Sequence, residues 1–195
     1  MAAKRTEMNT TDPKQPLATA VDRHLLATVA TDAAAASSTD MMHAVAQVAR
    51  VTNHFTEAGI MVHAYLMYGF PTQTTQETID SLEMVRQMFE AGILQSGFWH
   101  QFAMTAHSPV GLYPEQFGVQ KESNQVGSFA NNDLVHIDPT GTDHDAFSYG
   151  LKKSLLNFMH GVGLDFPLHE WFEFKTPRTS IPKNYIAEAL QEEEP

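Results

Sequence analysis

No cysteine occurs anywhere in the 195 residues. Within this chain, that excludes a disulfide framework, a thiolate zinc site, a nucleophilic cysteine and an iron–sulfur cluster held by cysteines. Positive charge is also scarce: 12 Lys and Arg stand against 23 Asp and Glu, a formal net charge of -11. A general nucleic-acid binder needs a basic surplus to neutralise phosphates, and none exists here. Adhesion to an anionic membrane is disfavoured for the same reason. Long apolar runs are missing too. No segment reaches the roughly 20 residues of a transmembrane helix. The first residues, M-A-A-K-R-T-E, lack the apolar stretch that would follow in a signal peptide. The expectation is a soluble cytoplasmic protein that partners neither nucleic acid nor membrane.

What is present suits one packed domain, or a domain plus an arm. Apolar residues make up 43%, an ordinary share for a globular core. The densest stretch is 59–71, G-I-M-V-H-A-Y-L-M-Y-G-F-P. It reads as a buried strand over 60–68 that ends in a glycine, a proline and a polar turn. Apolar residues occupy both alternating faces, which predicts a strand covered on both sides. Upstream, Met41, Val45, Val48 and Phe55 share one helical face, and Gly59 suits the stop of that helix. Downstream, Thr74-Thr75-Gln76-Glu77 is a capping-box pattern. Ile79, Leu82, Val85 and Phe89 supply the buried stripe of the next helix, with Asp80, Glu83 and Arg86 facing away. Gly92 closes it, and 93–103 is a second apolar, aromatic strand. Helix, strand, helix, strand predicts two parallel strands joined by a helical crossover.

Past Ala106 the chain is turn-rich. Residues 134–137 read as a short strand and 138–143 as a loop. Phe147, Leu151, Leu155, Phe158 and Val162 mark another amphipathic helix. Phe166, Trp171, Phe172 and Phe174 form a packing cluster, and 181–190 reads as a terminal helix begun by Pro182. Residues 1–40 read as a mobile arm with one short helix over 21–30, and the last residues as a solvated acidic end.

The wording of 58–74, then Gln76 to Leu82, then Gly97-Phe98-Trp99-His100 and Thr105-Ala106-His107-Ser108-Pro109, resembles the C-terminal half of a radical S-adenosylmethionine domain. The closest group is the cobalamin-binding-domain-containing radical S-adenosylmethionine proteins. The resemblance implies an α/β chain: a partial (β/α) barrel fragment built from the late barrel strands, with a mostly helical C-terminal extension. The implied division is an arm at 1–40, a partial barrel at 41–115 and the extension at 116–195. The family binds its 4Fe–4S cluster through a CxxxCxxC loop after the first barrel strand. This chain has no cysteine, so cluster and cobalamin are implied for full-length relatives only. The chain is then expected not to be catalytic alone, and to be a fragment or a subunit that needs the missing barrel half. By position, the resemblance puts Tyr68, Gly69, Phe70, Pro71 and Thr72 at the rim of a pocket for S-adenosylmethionine and substrate, with His100 and Gln101 at the end of the next strand. A two-strand piece leaves edges and apolar surface uncovered, which predicts a partner or self-association.

Other chemistry competes with plainer readings. His63 and His100 could bind a ligand or sit hydrogen-bonded in the core. Tyr65, Tyr68, Phe70, Phe98 and Trp99 could stack on a flat cofactor or be core. His107 and Ser108 lack the Gly-x-Ser-x-Gly surroundings of a hydrolase elbow and read as a turn. His136, Asp138, Asp143, His144 and Asp145 are the densest set of potential metal ligands, the basis of an alternative metal-dependent hydrolase. The plainer reading is turn chemistry, with Asp143 or Asp145 capping the following helix. A non-enzymatic interaction module is the remaining alternative.

Overall fold

Helix stops determine where the first strands begin. The computed structural model describes residues 38–122 and 132–192. Helix α1, Ser38–Glu57, ends at Gly59, whose φ of 75° is open to glycine without strain. The Ile60 N–H reaches back to the Phe55 carbonyl at 2.8 Å, the bond that closes a Schellman end. Helix α2, Thr75–Glu90, stops in the same way at Gly92, with the Ile93 N–H on the Met88 carbonyl at 3.1 Å. Its start is the expected capping box. The Glu77 N–H donates to Thr74 Oγ1 at 3.3 Å, and the Thr74 N–H donates to Glu77 Oε2 at 2.7 Å.

Strand β1, His63–Tyr68, and strand β2, Ser96–Gln101, flank α2 and pair in parallel, His63 opposite Ser96 and Tyr68 opposite Gln101. Both are shorter than the sequence suggests. Residues 60–62 approach as a connection, because the Gln95 side chain takes the Val62 N–H at 2.6 Å before the ladder begins. Ala64, Leu66, Tyr68, Gly97 and Trp99 turn to one side, where α1, α2 and α4 supply the core. The other side carries His63, Tyr65, Met67, Phe98 and His100 and is bare, with Tyr65 65% exposed. The expectation of cover on both faces fails here. Apolar residues do occupy both faces, but every described helix packed on the sheet lies on one of them.

The rest of the chain pairs in small pieces. Strand β3, Met104–Thr105, pairs antiparallel with β5, Asp133–Leu134; β4, Gln120–Lys121, pairs antiparallel with β6, His136–Ile137. The strand read over 134–137 is therefore split at Val135 between two ladders. Short helix α3, Pro109–Leu112, lies beside a second small core of Met104, Val110, Val119 and Leu134. Helix α4, His144–Phe158, buries Phe147, Leu151, Leu155 and Phe158 as the spacing predicts, whereas Val162 is exposed. Trp171 packs edge-on to Phe158 at 5.7 Å, and Phe174 edge-on to Phe147 at 5.0 Å, so the aromatic cluster is packing.

The last helix, α5, Tyr185–Ala189, wedges between α1 and α2. It also reverses one expectation for α2. Glu83 is only 5% exposed, not turned to solvent. Arg86 pairs with it at 2.7 Å, and Gln87 donates to it at 2.8 Å while bonding the Pro182 carbonyl and the Ile186 N–H. Asp80 accepts from Thr179 Oγ1 and from the Ser180 N–H and hydroxyl at 2.6–2.8 Å. The C-terminal segment thus covers the polar side of α2. Residues from 41–115 and from 116–192 share one core. The result is a mixed α/β fold with small sheets and no closed barrel among the described residues. No described helix is long and apolar enough to cross a membrane. The short helix read over 21–30 and most of the arm lie outside the described residues.

Candidate functional site

In a parallel sheet, the loops after the C-terminal strand ends are where ligand sites form, because those loops can vary without disturbing the ladder. Here that rim is the turn 69–73 together with Gln101. Gly69 leaves β1 with φ of 74°, and its N–H donates to Gln73 Oε1 at 2.5 Å. The Gln73 N–H then closes a turn on the Phe70 carbonyl at 2.9 Å, with Pro71 and Thr72 as its central residues. Proline suits the first central position. The second needs positive φ, which glycine supplies easily and a β-branched residue does not. Thr72 nevertheless holds φ of 67°. Its N–H donates to Asp138 Oδ2 at 2.8 Å, the bond that helps to hold it there.

Asp138 uses its other oxygen for the Thr140 N–H and hydroxyl, at 2.8 and 2.6 Å. Burial alone would raise its carboxyl, but the hydrogen bonds from Thr140 and Thr72, with His144 nearby, bring it below the ordinary carboxylate value. Across the rim, Tyr68 Oη donates to Gln101 Oε1 at 3.1 Å, and Gln101 Nε2 donates to Asp145 Oδ1 at 2.7 Å. His144 opens α4 and lies on Gly69; a Cβ added to that glycine would sit 3.2 Å from His144 Cγ. His144 as a residue is only partly buried, yet both of its ring nitrogens are closed off and find no hydrogen-bond partner among the described residues. Burial pushes its pKa below the ordinary imidazole value, with Asp138 pulling the other way.

The residues named from the sequence divide among several roles. Tyr68 is 1% exposed and stands edge-on to Trp99 in the core, so its ring lines no rim pocket. Phe70 stacks on Phe102 and Phe117 at 5.1 and 6.5 Å, also as packing, and Pro71 is buried. Gly69, Thr72 and Gln101 do lie on the rim. His100 lies on the bare face beside Phe98, at 6.4 Å between rings. His63 is not a core histidine either: it is exposed, with Nδ1 2.7 Å from Ser96 Oγ. Tyr65 and Phe98 tilt against each other on the same bare face at 6.2 Å. Ser108 caps α3, accepting from the Gly111 N–H at 3.1 Å and donating to the Thr105 carbonyl at 2.8 Å, so the turn reading holds.

His136, Asp138, Asp143, His144 and Asp145 each have separate surroundings. No three His, Cys, Asp or Glu side chains among the described residues are grouped to hold an ion. Asp143 caps α4 through the Ala146 N–H at 3.2 Å, Asp145 serves Gln101, and the His136 ring packs on Phe102 at 5.9 Å. Gln73 and Thr140 complete the rim. Sequence reading missed both, since a glutamine after a proline turn carries no distinguishing signal. Compared with family models, curated proteins and solved structures, the chain matches none of them.

Proposed function

We propose that the chain supplies part of the wall of a radical S-adenosylmethionine-type (β/α) barrel, with β1 and β2 as late strands. One observation carries this reading: helices cover a single face of a parallel pair, and the other face is apolar, aromatic and bare. That one-sided cover is what a barrel wall has, where the second face turns inward onto other strands. The remaining strands would come from other residues, in a partner or a second copy. The bare face would then contribute His63, Tyr65, Met67, Phe98 and His100 to the interior, and Gly69, Thr72 and Gln101 to the rim of a pocket for S-adenosylmethionine or substrate.

The donor set does not fit a cysteine-ligated 4Fe–4S cluster, because the 195 residues contain no cysteine. No radical step is therefore routed through these side chains. Their role is to shape and line a pocket. The aromatic rings offer flat apolar surface, and the two histidines offer ring nitrogens for hydrogen bonds.

The test is titration of the purified chain with S-adenosylmethionine, followed through the histidine ring resonances. Selective shifts at His63 and His100 are expected. Unchanged resonances at millimolar ligand would remove the pocket and leave only an interaction face. That second reading is favoured by the outer edges of β1 and β2, which pair with no further strand among the described residues and can accept one.

A further inference from the structure

Two energetically unfavourable features meet at the rim. Thr72 sits in the left-handed region, where a β-branched residue is strained on the order of 1–3 kcal/mol. His144 keeps both ring nitrogens buried without a partner among the described residues, and each unmade hydrogen bond carries a desolvation cost. The same eight residues are responsible for both. Asp138 starts the segment and holds the Thr72 N–H at 2.8 Å. His144 and Asp145 end it, the first on Gly69 and the second on Gln101 at 2.7 Å. Residues 139–141 and 143 of the segment between them are exposed.

We propose that residues 138–145 form a strap over the C-terminal rim of β1 and β2, closed while the His144 imidazole is neutral and released when it takes a proton. Closed, the strap occupies the Thr72 N–H and the Gln101 amide. Released, it frees both at the strand ends, relaxes Thr72 and gives the His144 nitrogens water. The inference stands on rim geometry and does not depend on the barrel reading.

The direction follows from the groups around the ring. Asp138 and Asp143 in the loop and Asp145 on α4 favour the imidazolium, and His136 on β6 opposes it. The rim turn and β2 present Gly69, Thr72 and Gln101, none of them ionisable. Burial outweighs the carboxylates, so charging the ring favours the state in which it meets water. Asp138 sits below its ordinary value and stays ionised near neutrality, so its own titration is not the trigger.

The experiment is hydrogen exchange of the full chain at about pH 7.5 and about pH 5.5, with protection corrected for intrinsic exchange. Thr72 amide protection is expected to fall roughly tenfold at the lower pH while Leu66 and Leu82 keep theirs. In His144→Gln, Thr72 protection is expected to be the same at both values. Protection that does not change with pH, that falls equally across the core, or that still falls in His144→Gln overturns the proposal. Should that variant not fold, the His144 ring resonance of the unmodified chain decides. Its titration midpoint must coincide with the loss of Thr72 protection, and a separate midpoint overturns the strap.

Discussion

The two faces of the β1–β2 pair are made from alternate residues of the same strands and have opposite fates. On one, Ala64, Leu66, Tyr68 and Trp99 enter a core closed by helices from both halves of the chain. On the other, Tyr65, Met67 and Phe98 are exposed and meet no helix among the described residues, although all three are apolar or aromatic. The difference is not in the strand's composition. It lies in where the amphipathic helices were sent, since α2 and α4 can each bury one stripe and both spend it on the same side. An exposed apolar face of this kind is the less common arrangement in a folded chain.

The sharpest test of the contrast is a pair of neighbouring substitutions. Trp99→Ala is expected to cost about 3–5 kcal/mol, because it opens a cavity among packed rings. Phe98→Ala, one residue earlier on the bare face, is expected to stay within about 0.5 kcal/mol. Urea unfolding of both variants checks this. A large cost for Phe98→Ala would break the comparison by showing that the face is covered in solution, and a sedimentation measurement would then show by how many copies.

A second test moves to the covered side. Gln87→Ala removes the buried amide that serves Glu83, the Pro182 carbonyl and the Ile186 N–H. The loss is expected to be about 1–3 kcal/mol, since a buried N–H is left unpaired. Asp80→Ala exposes less and should cost less in the same unfolding assay, while raising proteolysis near 178–181. A third change goes the other way. Thr72→Gly relieves positive φ at a turn position that favours glycine. It should be neutral or stabilise by up to about 1 kcal/mol, net of the added freedom of the unfolded chain. A clear loss would mean the Thr72 methyl and hydroxyl contacts outweigh the strain.

The last expected effect is a slope with pH. A histidine whose folded pKa is depressed binds fewer protons folded than unfolded. His144 therefore makes stability rise with pH up to the ordinary imidazole value of 6.5 and fall as pH drops below it. Asp138 acts at the acid end. Its depressed folded value contributes stability above 3.8, which is lost as pH falls through the lower folded value. Denaturation midpoints of the unmodified chain and of His144→Gln should diverge below about pH 6.5 and converge above it.

Local chemistry was readable in the chain, and distant chemistry was not. Thr74 with Glu77, and Gly59 with Ile60, announce helix ends because all the partners lie within a few residues. Tyr65 and Leu66 could not be told apart as outside and inside, because periodicity assigns residues to faces and does not say which face is covered. Glu83 looked like a solvated charge because its partner Gln87 is tied to Pro182 and Ile186, which lie about 100 positions later. The rim came from the resemblance; Gly69, Thr72 and Gln101 lie at the strand ends, whereas Tyr68 follows the strand's alternation inward. Residues 136–145 stood out for their His and Asp content, and that density is used for hydrogen bonds and caps, not for a shared ion.

The wedge of α5 between α1 and α2 also sets an order of events during synthesis. The Tyr185 hydroxyl, whose pKa burial pushes above the ordinary tyrosine value, donates to the Met42 carbonyl across 143 positions. Arg50 reaches the Ala189 carbonyl across 139. Such contacts close very long loops, and loop closure of that kind slows folding. On a ribosome, α1 emerges well before α5 and must wait, its small Ala46 and Ala49 face without its last neighbour, until α5 has followed.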